Sequence, residues 1–599
     1  MLNARFENRC RLRRKVLFFP PLSGSGFNPA SGNGRLSCNP GTQRTRLMPA
    51  LDCRFKPDHL LRLVPVWILM LLISAPVARA TQWETLFTAQ DVRDHLSTPA
   101  GREQALGFCR RMGISKVYLE VFRDGYQADA QTLKASRDFF RHAGLQVSGC
   151  VATTDLGKPS TGWPIVACYT NRQNQEHLAE IFRYATSLFN EVIIDDFFFT
   201  DCKCSECAAA KGSMSWTQYR DKLMVEMSRK YVLGAARAVN PHVKIILKFP
   251  QWYDNFQNRG YVVDKETALY NRIWVGTELR NPSSTHWGHT QQYRGFFLYR
   301  WLADIAGPKE GGGWFDPYGT DPALYMDQAY VTVLAGAPEV ILFHYGSLIS
   351  NEYRPQAEAL AAHRPQLDRL AKLVGDWDGI PAYKPPNSNP GNEPYIFDQI
   401  GMLGIPLLPT AHFPAKARVA LFTAHALGDT DFVPELVQFL EAGGTAFVSE
   451  SLAHRLNADP RLTPDNKVAL AKDELLRRAP EGRGQIIVFS DELPRLSYVD
   501  TKDQITQLDP QTRAALRKLR AAVSEFVPES LDAPPRVAIF PMHDRVGVAN
   551  FTELPVTCHL SGLGGMDTGF TQLFGTAETR VTEDGTALYL PPHGVIVVK

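Results

Sequence analysis

The chain has 599 residues, 44% of them apolar, with 65 basic and 62 acidic side chains and a formal charge of +3. That length excludes one ordinary domain, and the apolar fraction is ample for packed cores. The charge is uneven: the first 80 residues hold 13 Lys and Arg against 3 Asp and Glu, so the remainder stands at −7 and a nucleic-acid partner is not expected.

The segment from His59 to Ala80 joins a basic flank, a short apolar run and the terminal Ala78-Arg79-Ala80. Those are the parts of a secretory signal, with cleavage expected after Ala80 and a periplasmic or secreted product. The apolar run from Val64 to Ile73 is short for a bilayer span and no later segment is long enough; a single membrane anchor is the alternative. Residues 1–47 are rich in Arg, Gly, Ser and Pro without periodicity, and translation from Met48 would give a signal of ordinary length. Seven cysteines follow Ala80, an odd number that fits a disulfide framework poorly.

From about Gln82 to Gly379, amphipathic helical stretches alternate with short apolar runs, the pattern of an α/β fold. Eight strands are predicted, opening at Lys116, Leu145, Pro164, Val192, Val243, Arg272, Gly312 and Glu339, with helices such as Trp216 to Ala238 between them. Eight strand-helix units suggest a (β/α)8 TIM barrel over residues 81–380; a doubly wound sheet would need fewer units and a Gly-rich loop after its first strand. A Pro-, Asn- and Gly-rich linker, Pro381 to Glu393, then leads to a second α/β unit over 381–530. Its predicted strands are Arg418 to Thr423, Gly443 to Ser449 and Gly484 to Phe489, with a helix from Asp431 to Ala442. Residues 531–599 read as a small antiparallel β domain.

The densest chemistry lies in Glu191-Val-Ile-Ile-Asp-Asp-Phe-Phe-Phe-Thr-Asp-Cys-Lys-Cys-Ser-Glu-Cys207, where an apolar strand ends in two carboxylates and meets a C-x-C-x-x-C cluster. Barrel active sites sit at the carboxyl ends of strands, so Asp195, Asp196, Glu278, Asp316, Glu120 and His344 are the candidates. Glycosidic hydrolysis needs two carboxyl groups across the scissile bond, one protonating the leaving oxygen and one attacking the sugar or activating water. Neighbouring strand residues face opposite sides, so Asp195 and Asp196 are not expected to share a substrate, and Asp196 is favoured as the residue nearer the strand end. Its partner is Glu278 or Asp316. Aromatic rings suited to stacking on sugar faces crowd the same ends, Trp252, Trp287, Trp314 and Tyr345 among them, while Arg280, His286 and His344 would bind hydroxyls. Cys202, Cys204 and Cys207 have spacing suited to one tetrahedral Zn2+, with Cys168 as the natural fourth ligand; a disulfide is the other reading.

This combination resembles the microbial β-galactosidases of glycoside hydrolase family 42. The resemblance implies a barrel with an acid/base at the end of strand four, a nucleophile on strand seven and a four-cysteine zinc site. It also implies a glutamine-amidotransferase-like, flavodoxin-like domain and a small β domain. The chain departs from the family in carrying Asp195-Asp196 where the family has Asn-Glu. Phe422-Thr-Ala-His-Ala426 stands where an amidotransferase would carry its cysteine, so that domain is expected to be non-catalytic and to serve oligomerisation or cleft completion. The expectation is thus an exported glycoside hydrolase acting on an oligo- or polysaccharide, with no catalytic cofactor and a structural zinc ion. An inactive carbohydrate-binding barrel is the alternative, and a metal-dependent hydrolase is weaker because an all-sulfur site leaves no position for water.

Overall fold

The computed structural model describes residues 81–284, 290–459, 476–481, 483–497, 510–562, 570–582 and 585–599. The proposed signal, and the candidates His286 and Trp287, lie outside the described residues.

Eight parallel strands form a closed barrel: β1 (Gln82–Phe87), β2 (Lys116–Arg123), β3 (Gln146–Val151), β4 (Glu191–Ile194), β5 (Lys244–Phe249), β6 (Arg272–Gly276), β7 (Glu310–Phe315) and β8 (Glu339–Leu342). Closure is made by β1, which pairs with β2 on one side and β8 on the other. Leu86, Tyr118, Cys150, Ile193, Ile246, Trp274, Trp314, Ile341 and Phe343 fill the interior. Gly312 belongs to this packing, because a Cβ there would lie 2.8 Å from the Trp274 ring.

The strand count of eight holds, but its membership changes. The segment from Pro164 to Tyr169 is no barrel strand. It folds back within the loop after β3, where Ser160 N donates to Val166 O and Cys168 N to Lys158 O, and it buries Val166, Ala167, Cys168 and Tyr169. Its apolar run reflects burial in that loop. The missing strand is β1, whose alternation is masked by the fully buried Glu84 and Thr85. Because the two errors precede β4, Asp196, Glu278 and Asp316 still follow strands four, six and seven.

The predicted linker is also structured. Its start belongs to β9 (Ile380–Tyr383), which pairs in parallel with β10 (Leu407–Thr410) and β11 (Val419–Phe422). With β12 (Thr445–Ser449), β13 (Leu476–Glu481) and β14 (Gly484–Phe489), the sheet order is β10-β9-β11-β12-β14-β13, with only β13 antiparallel. That is the flavodoxin-like order with an added edge strand. The sheet is tied to the barrel by a stacked pair, Phe297 on Phe397 at 4.4 Å, and by Asp398, which accepts from Tyr253 and Arg294.

The C-terminal segment forms two four-stranded antiparallel sheets. One contains β15 (Ser530–Asp532), β18 (Val556–Ser561), β20 (Glu578–Thr582) and β21 (Gly585–Leu590); the other contains β16 (Val537–Met542), β17 (Arg545–Asn550), β19 (Gln572–Phe574) and β22 (Val595–Val598). Their inner faces share one apolar core. Among the described residues no helix is long and apolar enough to cross a membrane.

Candidate active site

Inward-facing positions above the apolar barrel core turn polar at the carboxyl ends of the strands. Two residues beyond Tyr118, Ile193 and Ile246 come Glu120, Asp195 and Lys248. Glu120 is fully buried and takes Arg123 Nε at 2.7 Å and the Ala89 N–H at 3.0 Å. Arg123 also binds Asp195.

The centre is Lys248. Its Nζ lies 2.6 Å from Glu278 Oε1, 2.8 Å from Asp196 Oδ2 and 3.3 Å from Asp195 Oδ1, and 4.3 Å from the centroid of the Trp314 ring. Asp195 and Asp196 therefore do approach the same group. Asp195 keeps the inward face, but the chain turns directly after it, with Phe197 N donating to Asp195 O at 2.9 Å, so Asp196 is not held to the opposite face, and Asp195 Oδ1 accepts the Asp196 N–H at 2.8 Å. Glu278 folds back over Gly276, where a Cβ would sit 2.7 Å from Oε2. Beside it, Arg280 Nη2 donates to Asp316 Oδ2 at 2.9 Å, and the Tyr318 N–H donates to Asp316 Oδ1 at 2.9 Å.

Five carboxyl groups here face three cations, so the cluster favours keeping protons on some of its acids. Burial pushes Glu278 up to about 8 against the pull of Lys248, with Asp196 and Asp316 adding to the rise. Burial likewise pushes Asp196 up to about 6, opposed by Lys248 and helped by Asp195. Asp195 goes the other way: Lys248 and Arg123 outweigh its burial and hold it below the usual carboxylate range. Of the acids on Lys248, Asp196 is the most accessible, with 14% of its side chain exposed against 4% for Glu278 and 3% for Asp195.

Other candidates divide. Trp252 is half-buried near the end of β5 and joins Trp163, Phe197, Phe199 and Tyr261 in an aromatic group beside Asp196, with Arg259 over the Trp252 ring at 4.7 Å. Trp314 is 1% exposed and packs in the barrel interior under Lys248, so it offers no stacking face to a ligand. Tyr345 is buried between Phe87 and Phe108 outside the barrel, because it opens the short helix that covers β1. Glu120, Asp195 and Arg280 are buried in ion pairs and hold the site's other charges. His344 has both nitrogens engaged, Nδ1 with Asp91 at 2.6 Å and Nε2 with Ser347 at 2.8 Å. Sequence reasoning missed Lys248, Arg123, Trp163 and Asp91. A charge inside the apolar run Ile245-Ile-Leu-Lys-Phe249 was the available signal for Lys248, since a buried ammonium requires partners.

Cys168 lies in the loop after β3 rather than on a strand, yet it meets Cys204 and Cys207 at 3.7 and 3.5 Å, and those two are 3.6 Å apart. All four sulfurs, Cys202 included, lie within 4.8 Å of one another, and none is in a disulfide. A tetrahedron with Zn–S bonds of about 2.3 Å has edges of about 3.8 Å, so the cluster fits that ion. Thr170 Oγ1 lies 2.9 Å from Cys207 Sγ, a hydroxyl placed to donate to a thiolate.

Residues 75–369 match the family of probable glycosyl hydrolase catalytic domains. An uncharacterized protein of Saccharolobus solfataricus is 26% identical over 336 residues, 50% of this chain and 55% of that protein. The chain thus spans about half the length of that curated relative. Among solved structures, a catalytic mutant of Gan42B, a GH42 beta-galactosidase from G. stearothermophilus, matches with a TM-score of 0.56 at 12% identity, covering 87% of this chain and 98% of that one. Alpha-L-fucosidase isoenzyme 2 from Paenibacillus thiaminolyticus matches with a TM-score of 0.55 at 10% identity, covering 87% and 99%. The barrel therefore matches the glycosyl hydrolase catalytic-domain model and is similar in fold to a family 42 structure.

Proposed function

We propose that the chain cleaves an O-glycosidic bond of a carbohydrate with Asp196 and Glu278 as its carboxyl pair. The observation that carries this is their shared contact with Lys248. The two bound oxygens are no farther apart than those two hydrogen bonds laid end to end, short of the ~6.5–9.5 Å that an inverting pair requires, which supports retention of configuration. The order of the protons favours roles that reverse the acid/base assignment implied by the resemblance. Glu278, raised the further of the two by its burial, would hold the proton and give it to the leaving oxygen, while the more exposed Asp196 would be ionised and attack the anomeric carbon. The aromatic group at Trp163 and Trp252 would seat a sugar ring. Asp316, neutralised by Arg280, would shape the field around Glu278.

A Zn2+ ion held by Cys168, Cys202, Cys204 and Cys207 would be structural, a four-sulfur tie between the loops after β3 and β4 that leaves no coordination position for water. Export follows from the signal-like segment before Thr81 and is likewise a proposal.

The test is hydrolysis of nitrophenyl glycosides and natural oligosaccharides by the chain beginning at Thr81, with Asp196→Asn, Glu278→Gln and Asp316→Asn alongside. Nitrophenolate leaves without a proton, so Glu278→Gln should spare nitrophenyl substrates relative to natural ones, whereas Asp196→Asn should lose both. If Asp316→Asn loses both and Asp196→Asn neither, the nucleophile is Asp316. Silence on every substrate with sugars still binding by calorimetry would make this a binding protein.

A further inference from the structure

We propose that Ser347, His344 and Asp91 form a second hydrolytic centre at the barrel mouth, a serine esterase that removes a short acyl group from the hydroxyl of a carbohydrate. That choice of acylated substrate rests on the glycosidase reading, since both centres open at the carboxyl face of the same barrel.

The atoms are ordered for the task. Asp91 Oδ2 lies 2.6 Å from His344 Nδ1, and His344 Nε2 lies 2.8 Å from Ser347 Oγ. With Nδ1 protonated and facing the carboxylate, Nε2 is left as the base toward the hydroxyl, the arrangement that activates a serine nucleophile. Asp91 is itself fixed, accepting the backbone N–H groups of Thr88 and Gly346, each at 3.1 Å. Asp91 is buried, whereas His344 and Ser347 are both partly exposed, so the histidine and the nucleophile reach solvent while the acid does not. Tyr318 OH lies 2.8 Å from Ser347 Oγ. If the phenol donates to Ser347 and Ser347 to His344, the proton chain runs one way, from Tyr318 to Asp91. Burial raises the Tyr318 phenol above its ordinary value, so it remains a neutral donor that can turn to the oxyanion when an acyl carbon arrives. The partly exposed ring of Tyr353 flanks Tyr318 and offers an apolar wall for a short acyl chain.

The step balances with ester and water alone. Ser347 Oγ bonds to the acyl carbon while its proton passes to His344 Nε2. The ester C–O bond then breaks, and the sugar oxygen leaves with that proton. Water repeats the sequence on the acyl-serine, releasing a carboxylic acid. A related arrangement elsewhere, Thr423 to His425 at 2.9 Å and His425 to Asp254 at 2.8 Å, is fully buried between the barrel and the second sheet, where no substrate reaches it.

The test treats the folded chain with a fluorophosphonate probe and locates the adduct by peptide mass spectrometry, alongside hydrolysis of nitrophenyl acetate and of acetylated xylo-oligosaccharides. The expected result is one adduct on Ser347, and a loss of esterase kcat on the order of 10³-fold or more in Ser347→Ala and in His344→Ala. Ser347→Ala removes one oxygen, so circular dichroism should show it folded even if His344→Ala is not. No adduct on Ser347 in the folded wild type, or ester hydrolysis that survives Ser347→Ala unchanged, would overturn the proposal. The adduct is read by mass whether or not any glycoside is cleaved, so failure of the glycosidase reading is seen separately.

Discussion

The two ends of the barrel each bury one lysine among three carboxylates. At the amino-terminal floor, Lys116 Nζ lies 2.8 Å from Glu191, 3.5 Å from Glu339 and 3.6 Å from Glu84. At the mouth, Lys248 holds Glu278, Asp196 and Asp195. Both lysines are almost wholly buried, and each is held above its ordinary value because the surrounding carboxylates outweigh burial. What separates them is setting. The floor joins residues at the starts of strands and is braced by Arg272, which donates to Glu339 at 2.6 Å. The mouth lies where strands end, beside loops and aromatic rings, and one of its acids reaches solvent. A buried charge cluster is thus no mark of a site by itself; in a barrel, position at the carboxyl face is what singles one out as the candidate.

The largest expected effect that would break this comparison is in turnover. Asp196→Asn should lower kcat about 10³-fold or more on nitrophenyl glycosides, while Glu84→Gln at the floor should leave kcat unchanged. In stability the two ends should agree. Lys248→Met and Lys116→Met each leave two carboxylates without a cation, since Arg123 still holds Asp195 and Arg272 still holds Glu339, and urea denaturation should show a loss of about 3–5 kcal/mol for either. Unequal losses would mean that one cluster relaxes and the other does not.

The ends separate again with pH. Activity at the mouth should rise as Asp196 ionises through about 6 and fall as Glu278 loses its proton through about 8, giving a bell in kcat/KM. For stability, both folded values are raised. Their contribution is complete below the ordinary carboxylate range and is lost as pH climbs through about 6 and about 8. The urea midpoint should therefore fall from pH 5 to pH 9, and less steeply in Glu278→Gln. Glu84 at the floor is raised too, by burial against Lys116, so Glu84→Gln should also flatten the stability profile without altering the activity bell.

Smaller effects sharpen the picture around the mouth. Elemental analysis should find about one zinc per chain, and chelation should lower Tm by several degrees with loss of activity following from the loosened β3 and β4 loops. Trp163→Ala and Trp252→Ala should each raise KM several-fold with little change in kcat, the ~0.5–1.5 kcal/mol of a ring contact. A matching change at the floor cation–π pair, Tyr118→Leu, should leave KM alone.

The strand-end acids were legible because a carboxylate after an apolar run is a local signal, and the same holds for the C-x-C-x-x-C spacing. Lys248 was hidden by its apolar neighbours, and β1 by Glu84, whose burial makes sense only once Lys116 is beside it. Trp314 and Tyr345 looked like cleft aromatics because proximity to a strand end does not reveal which way a ring turns.

By itself, the sequence determined the alternation of strands and helices, the order of the three sheet regions and the types of residue at the strand ends, since these follow from periodicity and local chemistry. Only the tertiary structure decided which of those residues meet. Closure of the ring sets Asp196 and Glu278 on one ammonium, and brings Asp91 to His344 across 253 positions. It also decided which acids keep their protons, because that depends on burial and on the distance to neighbouring charges, which no run of residues encodes on its own.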